Sequence, residues 1–134
     1  MKYTEPEKWE ELKALFREVK WEKDAQANGI AKGSEHKVPY TSAANSVFYN
    51  YKNGMLESRR YYGQNGKPRL DIDMTDHGNS KEHPNAPHRH NWENKGNDTM
   101  KRQKDQPPST ADRIANADIW KKGNGNGLRK TGES

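Results

Sequence analysis

The chain has 134 residues, enough for one domain with one core, and only 28% are hydrophobic against 32% charged, so part of it has too little apolar surface to pack. The 24 Lys and Arg against 19 Asp and Glu leave a net charge of +5, which favours polyanionic partners. The absence of cysteine excludes disulfides, thiolate metal sites and a cysteine nucleophile, leaving histidine and carboxylate as ligands for any ion.

Thr4, Pro6 and Glu7 form a capping box that opens a helix running to about Asn28, where Gly29 ends it. Trp9, Leu12, Phe16 and Val19 recur at helical spacing and are expected to face the core. Residues 29–45 lack periodicity and read as a loop, with His36 solvated in it.

The middle of the chain reads as a β meander. "SVFYNYK" and "MLESRRYY" are joined by Asn53-Gly54, a strong hairpin signal, and a turn at Asn65-Gly66 leads to "PRLDIDMT". In this third strand Leu70, Ile72 and Met74 alternate with Asp71, Asp73 and Thr75, so one face is apolar and the other carries carboxylates. Two-residue turns would set Arg60 opposite Asp71 and Ser58 opposite Asp73.

Four of the five histidines, His77, His83, His88 and His90, lie between residues 77 and 90. Thr75-Asp76-His77-Gly78-Asn79 leaves the strand, and a Pro-braced loop carries the other three histidines, closed by Trp92 as a core anchor. Folded back over the strand, this loop would join imidazoles to carboxylates. After residue 93 the composition turns basic, with nine Lys or Arg against five acids over 94–134 and breakers at "QPPST" and "GNGNG". This part is expected to be a largely flexible tail with a short helix near 109–121, started by Ser109 and Asp112. The expected fold is therefore α+β: residues 1–93 form a helix packed on a small twisted antiparallel sheet, and 94–134 trail as a basic tail.

Two phosphodiester chemistries suit the cluster. In the first, one imidazole takes the proton of a ribose 2′-OH, another protonates the leaving oxygen, and a cation meets the charge on phosphorus. Histidine fits because its ordinary pKa lies near neutrality. In the second, His77, His88 and His90 with Asp73 hold a divalent ion that supplies an activated water. The spacing matches no standard zinc signature, so the first is preferred and no cofactor is favoured.

"RRYYGQNGKPRLDIDMTDHGN" and "HPNAPHRHNW", within residues 46–92, resemble the C-terminal toxin domains of bacterial polymorphic toxin systems, found also at the ends of some phage head proteins. The resemblance implies a toxin-like endoribonuclease of the barnase, EndoU, colicin or RelE kind, a helical part on an antiparallel sheet, and a catalytic set of Arg60, Asp71, Asp73, Thr75, Asp76, His77, His83, His88 and His90. Arg59, Lys81, Arg89, Lys101, Arg102 and Lys104 are the expected nucleic-acid contacts. RNA, including tRNA or another structured RNA, is the expected partner, with an acidic immunity protein as a second. The alternative class is a non-catalytic phage or mobile-element protein that grips nucleic acid or a host protein through its basic surface. No run of the sequence has signal-peptide or membrane-span length, so the expected location is the cytoplasm of the host or target cell, away from membranes.

Overall fold

A computed structural model of the chain describes residues 6–34, 38–74 and 87–121. The expected Thr4 cap, His36, Thr75, Asp76, His77, Lys81, His83 and the end of the chain from 122 lie outside the described residues. Helix α1 (Pro6–Asn28) packs against an open sheet of six strands: β1 (Ile30–Ser34), β2 (Val47–Lys52), β3 (Met55–Tyr62), β4 (Pro68–Asp73), β5 (His88–Asn94) and β6 (Met100–Arg102). The strands lie side by side in chain order, antiparallel except for β1, which runs parallel to β2. Two short helices, α2 (Thr110–Ala115) and α3 (Ala117–Lys121), follow. The α+β class is as expected. No helix among the described residues is long and apolar enough to cross a membrane.

The β2–β3 hairpin closes through Asn53 and Gly54, both at positive φ (54° and 78°), the conformation of a type I′ turn. The β3–β4 connection spans residues 63–67 instead of two, and a bulge between Tyr61 and Tyr62 absorbs the difference, so Arg60 still pairs with Asp71 and Ser58 with Asp73. Gly66 sits at φ +75° with the Ser42 carbonyl 2.6 Å from where a Cβ would stand, so a side chain is excluded both by the backbone and by the neighbour.

Residues 29–45 are more than a loop. Ile30–Ser34 forms β1 at the edge of the sheet, and residues 30–32 are exposed, so no alternation marks this strand. Gly33 lets the Phe48 ring lie close over this strand, since a Cβ would stand 2.4 Å from the ring and displace it.

One face of the sheet carries the core: Val47, Tyr51, Leu56, Tyr61, Leu70, Ile72 and Met74, joined by Ala25 of α1 and Ile119 of α3. Burying each of the aliphatic side chains contributes about 1.5–3 kcal/mol. The expected helix stripe is corrected at its aromatics, while Leu12 and Val19 are half-buried. Trp9 and Phe16 are 48% and 60% exposed, while Glu22 and Ala25 are fully buried and Trp21 packs on the core. Phe16 and Ala25 are nine residues apart, two and a half helical turns, so they point to opposite sides of the cylinder. The helix docks through its second half, with the aromatics of its first half turned outward.

The boundary expected after residue 93 is corrected as well. Residues 94–121 close the fold: β6 pairs with β5, and Ala111, Asp112, Ala115, Asn116 and Ile119 are buried. The short helix expected near 109–121 is present as two. Ser109 caps α2 in a capping box with Asp112, which is the signal the sequence carried.

A polar layer ties this segment to the rest. Asn116 donates to Glu22 (3.0 Å) and to the Asp112 carbonyl (2.9 Å), while its Oδ1 accepts from the Tyr61 hydroxyl (2.7 Å) and from Arg59 (2.8 Å). Arg59 is ion-paired to Asp118 and stacks over the Tyr49 ring at 4.2 Å.

Candidate functional site

The second face of the sheet carries the polar residues of β3, β4 and β5. Strand alternation puts Asp71 and Asp73 on it, and the β4–β5 register sets His90 beside Asp71 and His88 beside Asp73. These two histidines stand on a strand, where a loop was expected. The H-x-H spacing is the two-residue period of an extended chain, so both rings point to one side. Their centroids lie 4.9 Å apart at 78°.

All four groups are buried: Asp71 is 4% exposed, Asp73 3%, His88 1% and His90 6%. His88 Nε2 lies 3.6 Å from Asp73 Oδ2. His90 Nδ1 is 2.8 Å from the Gln103 carbonyl oxygen. A carbonyl only accepts, so Nδ1 carries the proton and Nε2 holds the lone pair. That Nε2 is buried with no hydrogen-bond partner among the described residues. Burial holds the His90 pKa below the ordinary imidazole value, Arg102 and His88 push the same way, and the Gln103 bond opposes them. His90 is therefore a neutral ring at physiological pH.

Asp73, His88 and His90 each offer one ligand atom, and the three atoms lie within 4.8 Å of one another, a buried group that could hold a metal ion. An imidazole anchored through Nδ1–H to a carbonyl, with Nε2 free, is the usual preparation of a histidine ligand. Two nitrogens and one carboxylate oxygen suit zinc and its neighbours in the first transition row. Asp73, His88 and His90 all belong to the ligand set considered from the sequence, and His77, its fourth member, lies outside the described residues.

The cations divide sharply. Arg60 grips Asp71 with Nε (2.8 Å) and Nη2 (3.0 Å), reaches the Val38 and Pro39 carbonyls with Nη1, and lies 4.8 Å from the Trp92 ring. Trp92 is half-buried under this guanidinium and meets Tyr40 edge-on, so it braces the site. Arg102 of β6 reaches the same face with longer contacts, 3.4 Å to Asp73 and 3.6 Å to Asp71. Lys101 and Lys104 are exposed beside it.

Arg59 and Arg89 are corrected as nucleic-acid contacts. Both alternate onto the core face, where Arg59 is 2% exposed and bound to Asp118. Arg89 is paired with Asp112 at 3.1 Å and Asn91 at 2.8 Å. Each guanidinium is taken up by a carboxylate, Arg89 by the buried Asp112 and Arg59 by the half-exposed Asp118.

A cleft of roughly 210 Å³ opens beside the carboxylates, lined by Asn50, Glu57 and Ser58 together with Arg60, Asp71, Asp73 and Arg102. Asn50 and Glu57 were not among the expected site residues. A β-bulge at Asn50/Tyr51 turns Glu57 to the cleft side, and such an offset leaves no mark in the alternation pattern. The Gln103 carbonyl that sets the His90 tautomer is main chain, which a residue pattern cannot reveal.

The fold and the site define an α+β protein with a buried Asp–His–His group beside a polar cleft. No family model, curated protein or solved structure matches the chain.

Proposed function

We propose that the chain is a nuclease that cleaves RNA phosphodiesters with the help of a divalent ion held by Asp73, His88 and His90. The observation that carries this reading is the His90 ring: its Nδ1 proton is committed to Gln103, its Nε2 is buried without a hydrogen-bond partner among the described residues, and His90 belongs with Asp73 and His88 to a group whose ligand atoms lie within 4.8 Å of one another. Metal-free transesterification, the chemistry preferred from sequence, needs imidazoles that reach a ribose, and both described rings are almost fully buried. Asp73, His88 and His90 would hold a divalent ion, which would supply Lewis acidity and a water of lowered pKa there. The cleft would hold the phosphate, Arg102 would face its charge, and Arg60 would keep Asp71 in place. The net charge of +5 and the resemblance of residues 46–92 to toxin nuclease domains support the substrate class.

The test is cleavage of a structured RNA by the full chain with EDTA and after adding back Zn²⁺ or Mn²⁺. The expected result is loss with chelator, recovery with ion, and no recovery in His90→Ala. Full cleavage in EDTA with 2′,3′-cyclic phosphate ends would return the metal-free mechanism. Absence of cleavage under every condition would leave the basic surface as a gripping device.

A further inference from the structure

Arg60 and Arg102 approach the same two carboxylates in different ways, and their donors show what each is for. A guanidinium has five N–H groups in a rigid fork. Arg60 commits both edges of its fork, two atoms to Asp71 and the third to main-chain carbonyls. It is spent on structure. The Arg102 side chain is 38% exposed and touches Asp71 and Asp73 only at 3.4 to 3.6 Å, beyond the 2.7–2.9 Å of a well-made charged pair. Asp71 already has its counter-charge in Arg60, so Arg102 serves chiefly as a loose neutraliser of Asp73.

Asp73 is also the carboxylate of the Asp–His–His group. A cation there would share that oxygen acid with the Arg102 guanidinium, placing two positive charges around one negative one. Like charges at this separation disfavour each other strongly inside a protein. An anion placed between them reverses the sign, since it is attracted by both. The cleft on which Arg102 and Asp73 both border provides the place.

We propose that Arg102 is a displaceable anion latch: it covers Asp73 in the ion-free protein, gives way when a divalent cation binds at Asp73, His88 and His90, and then joins that cation in holding a phosphate group. This rests on the metal reading of the site. The consequence is reciprocal coupling: phosphate tightens the ion, and the ion tightens phosphate by the same factor.

The experiment is calorimetric titration of Mn²⁺ into the full chain, with and without adenosine 5′-monophosphate, for wild type, Arg102→Ala and Arg102→Lys. Urea midpoints would verify that each variant is folded. In wild type, the nucleotide should tighten Mn²⁺ roughly 5- to 150-fold, the usual span of coupling between sites. Arg102→Ala should bind Mn²⁺ more tightly than wild type without nucleotide, because the competing cation is gone, and its coupling should shrink at least about tenfold. Arg102→Lys should keep the competition and part of the coupling. A purely structural arginine would give the opposite first result, weaker ion binding on removal. Equal ion affinity in wild type and Arg102→Ala with equal coupling overturns the latch and leaves the metal site standing. No ion binding in either overturns both. Cooperative ion and nucleotide binding without RNA cleavage upholds the latch and removes the nuclease reading.

Discussion

Glu22 of α1 and Asp112 of α2 are two fully buried carboxyl groups close enough for the charge of one to act on the other. Asp112 keeps its charge partner in Arg89 at 3.1 Å, while Glu22 accepts from the Asn116 amide at 3.0 Å and has no cationic partner among the described residues. Burial first, and then the charge of Asp112, push the Glu22 pKa from 4.5 up to about 9. Glu22 therefore keeps its proton at neutral pH.

This pair makes stability depend on pH in a defined direction. In the unfolded chain Glu22 loses its proton near its ordinary pKa, while the folded protein retains it up to about pH 9. Between those values the folded state binds more protons, so the contribution is full below about pH 4.5 and declines as pH rises. Glu22→Gln keeps the acceptor for Asn116 and nearly the same shape without the ionisation. Urea midpoints at pH 5 and pH 8 should fall between the two values more steeply in wild type than in Glu22→Gln. Identical slopes would show that Glu22 ionises as freely in the folded chain as in the unfolded one.

Arg59 is expected to act on stability and leave nucleic-acid affinity alone. Arg59→Ala removes a buried side chain and leaves the buried Asn116 acceptor short of one donor, while Asp118, 53% exposed, stays solvated, so the cost is about 1–3 kcal/mol. Arg59→Met, which fills the same space, should cost less. In the folded Arg59→Met protein the salt dependence of RNA binding should equal that of wild type. A shallower salt slope would mean that Arg59 does reach phosphate.

Saturating divalent ion is expected to stabilise the folded protein through its buried ligands. An ion at one hundred times its dissociation constant adds about 2.7 kcal/mol. Thermal melts with Zn²⁺ should show the increase in wild type and lose it in Asp73→Asn and His90→Ala. Equal increases in all three proteins would place the ion elsewhere.

Two apolar substitutions should separate core from surface. Ile72 is fully buried in β4, and truncation to Ala there costs about 2–5 kcal/mol. Phe16→Ala, on the exposed side of α1, should change stability by no more than about 0.5 kcal/mol. Denaturation midpoints of both variants measure the contrast, and a large loss for Phe16→Ala would mean that the stripe packs after all.

The elements legible in the sequence were those written in local chemistry. Asn53-Gly54 specified its turn, Leu70, Ile72 and Met74 specified the inner face of β4, and the pairing of Arg60 with Asp71 followed from them. Half of the site was therefore readable as positions on a strand. β5 was obscured because its alternating residues are histidines, which carry no hydrophobic signal although they are buried like core residues. β1 was obscured by its exposed edge. The Trp9 and Phe16 stripe misled because a helical period states that an apolar face exists, and does not state which side the sheet will take. Arg59 and Arg60, adjacent in sequence, had to alternate across the sheet. Only one of them could belong to the site, and the partner of the other, Asp118, lies 59 residues away.

The polar layer around Asn116 also sets the order in which the molecule can assemble. α1 leaves the ribosome first, yet Asn116, which binds Glu22, comes 94 residues later, and the Ala115 carbonyl that accepts from Gln26 comes 89 later. Contacts of such sequence separation form late, since the intervening chain must close before they are rewarded. The first helix should therefore complete its docking late in folding, after α2 and α3 have formed.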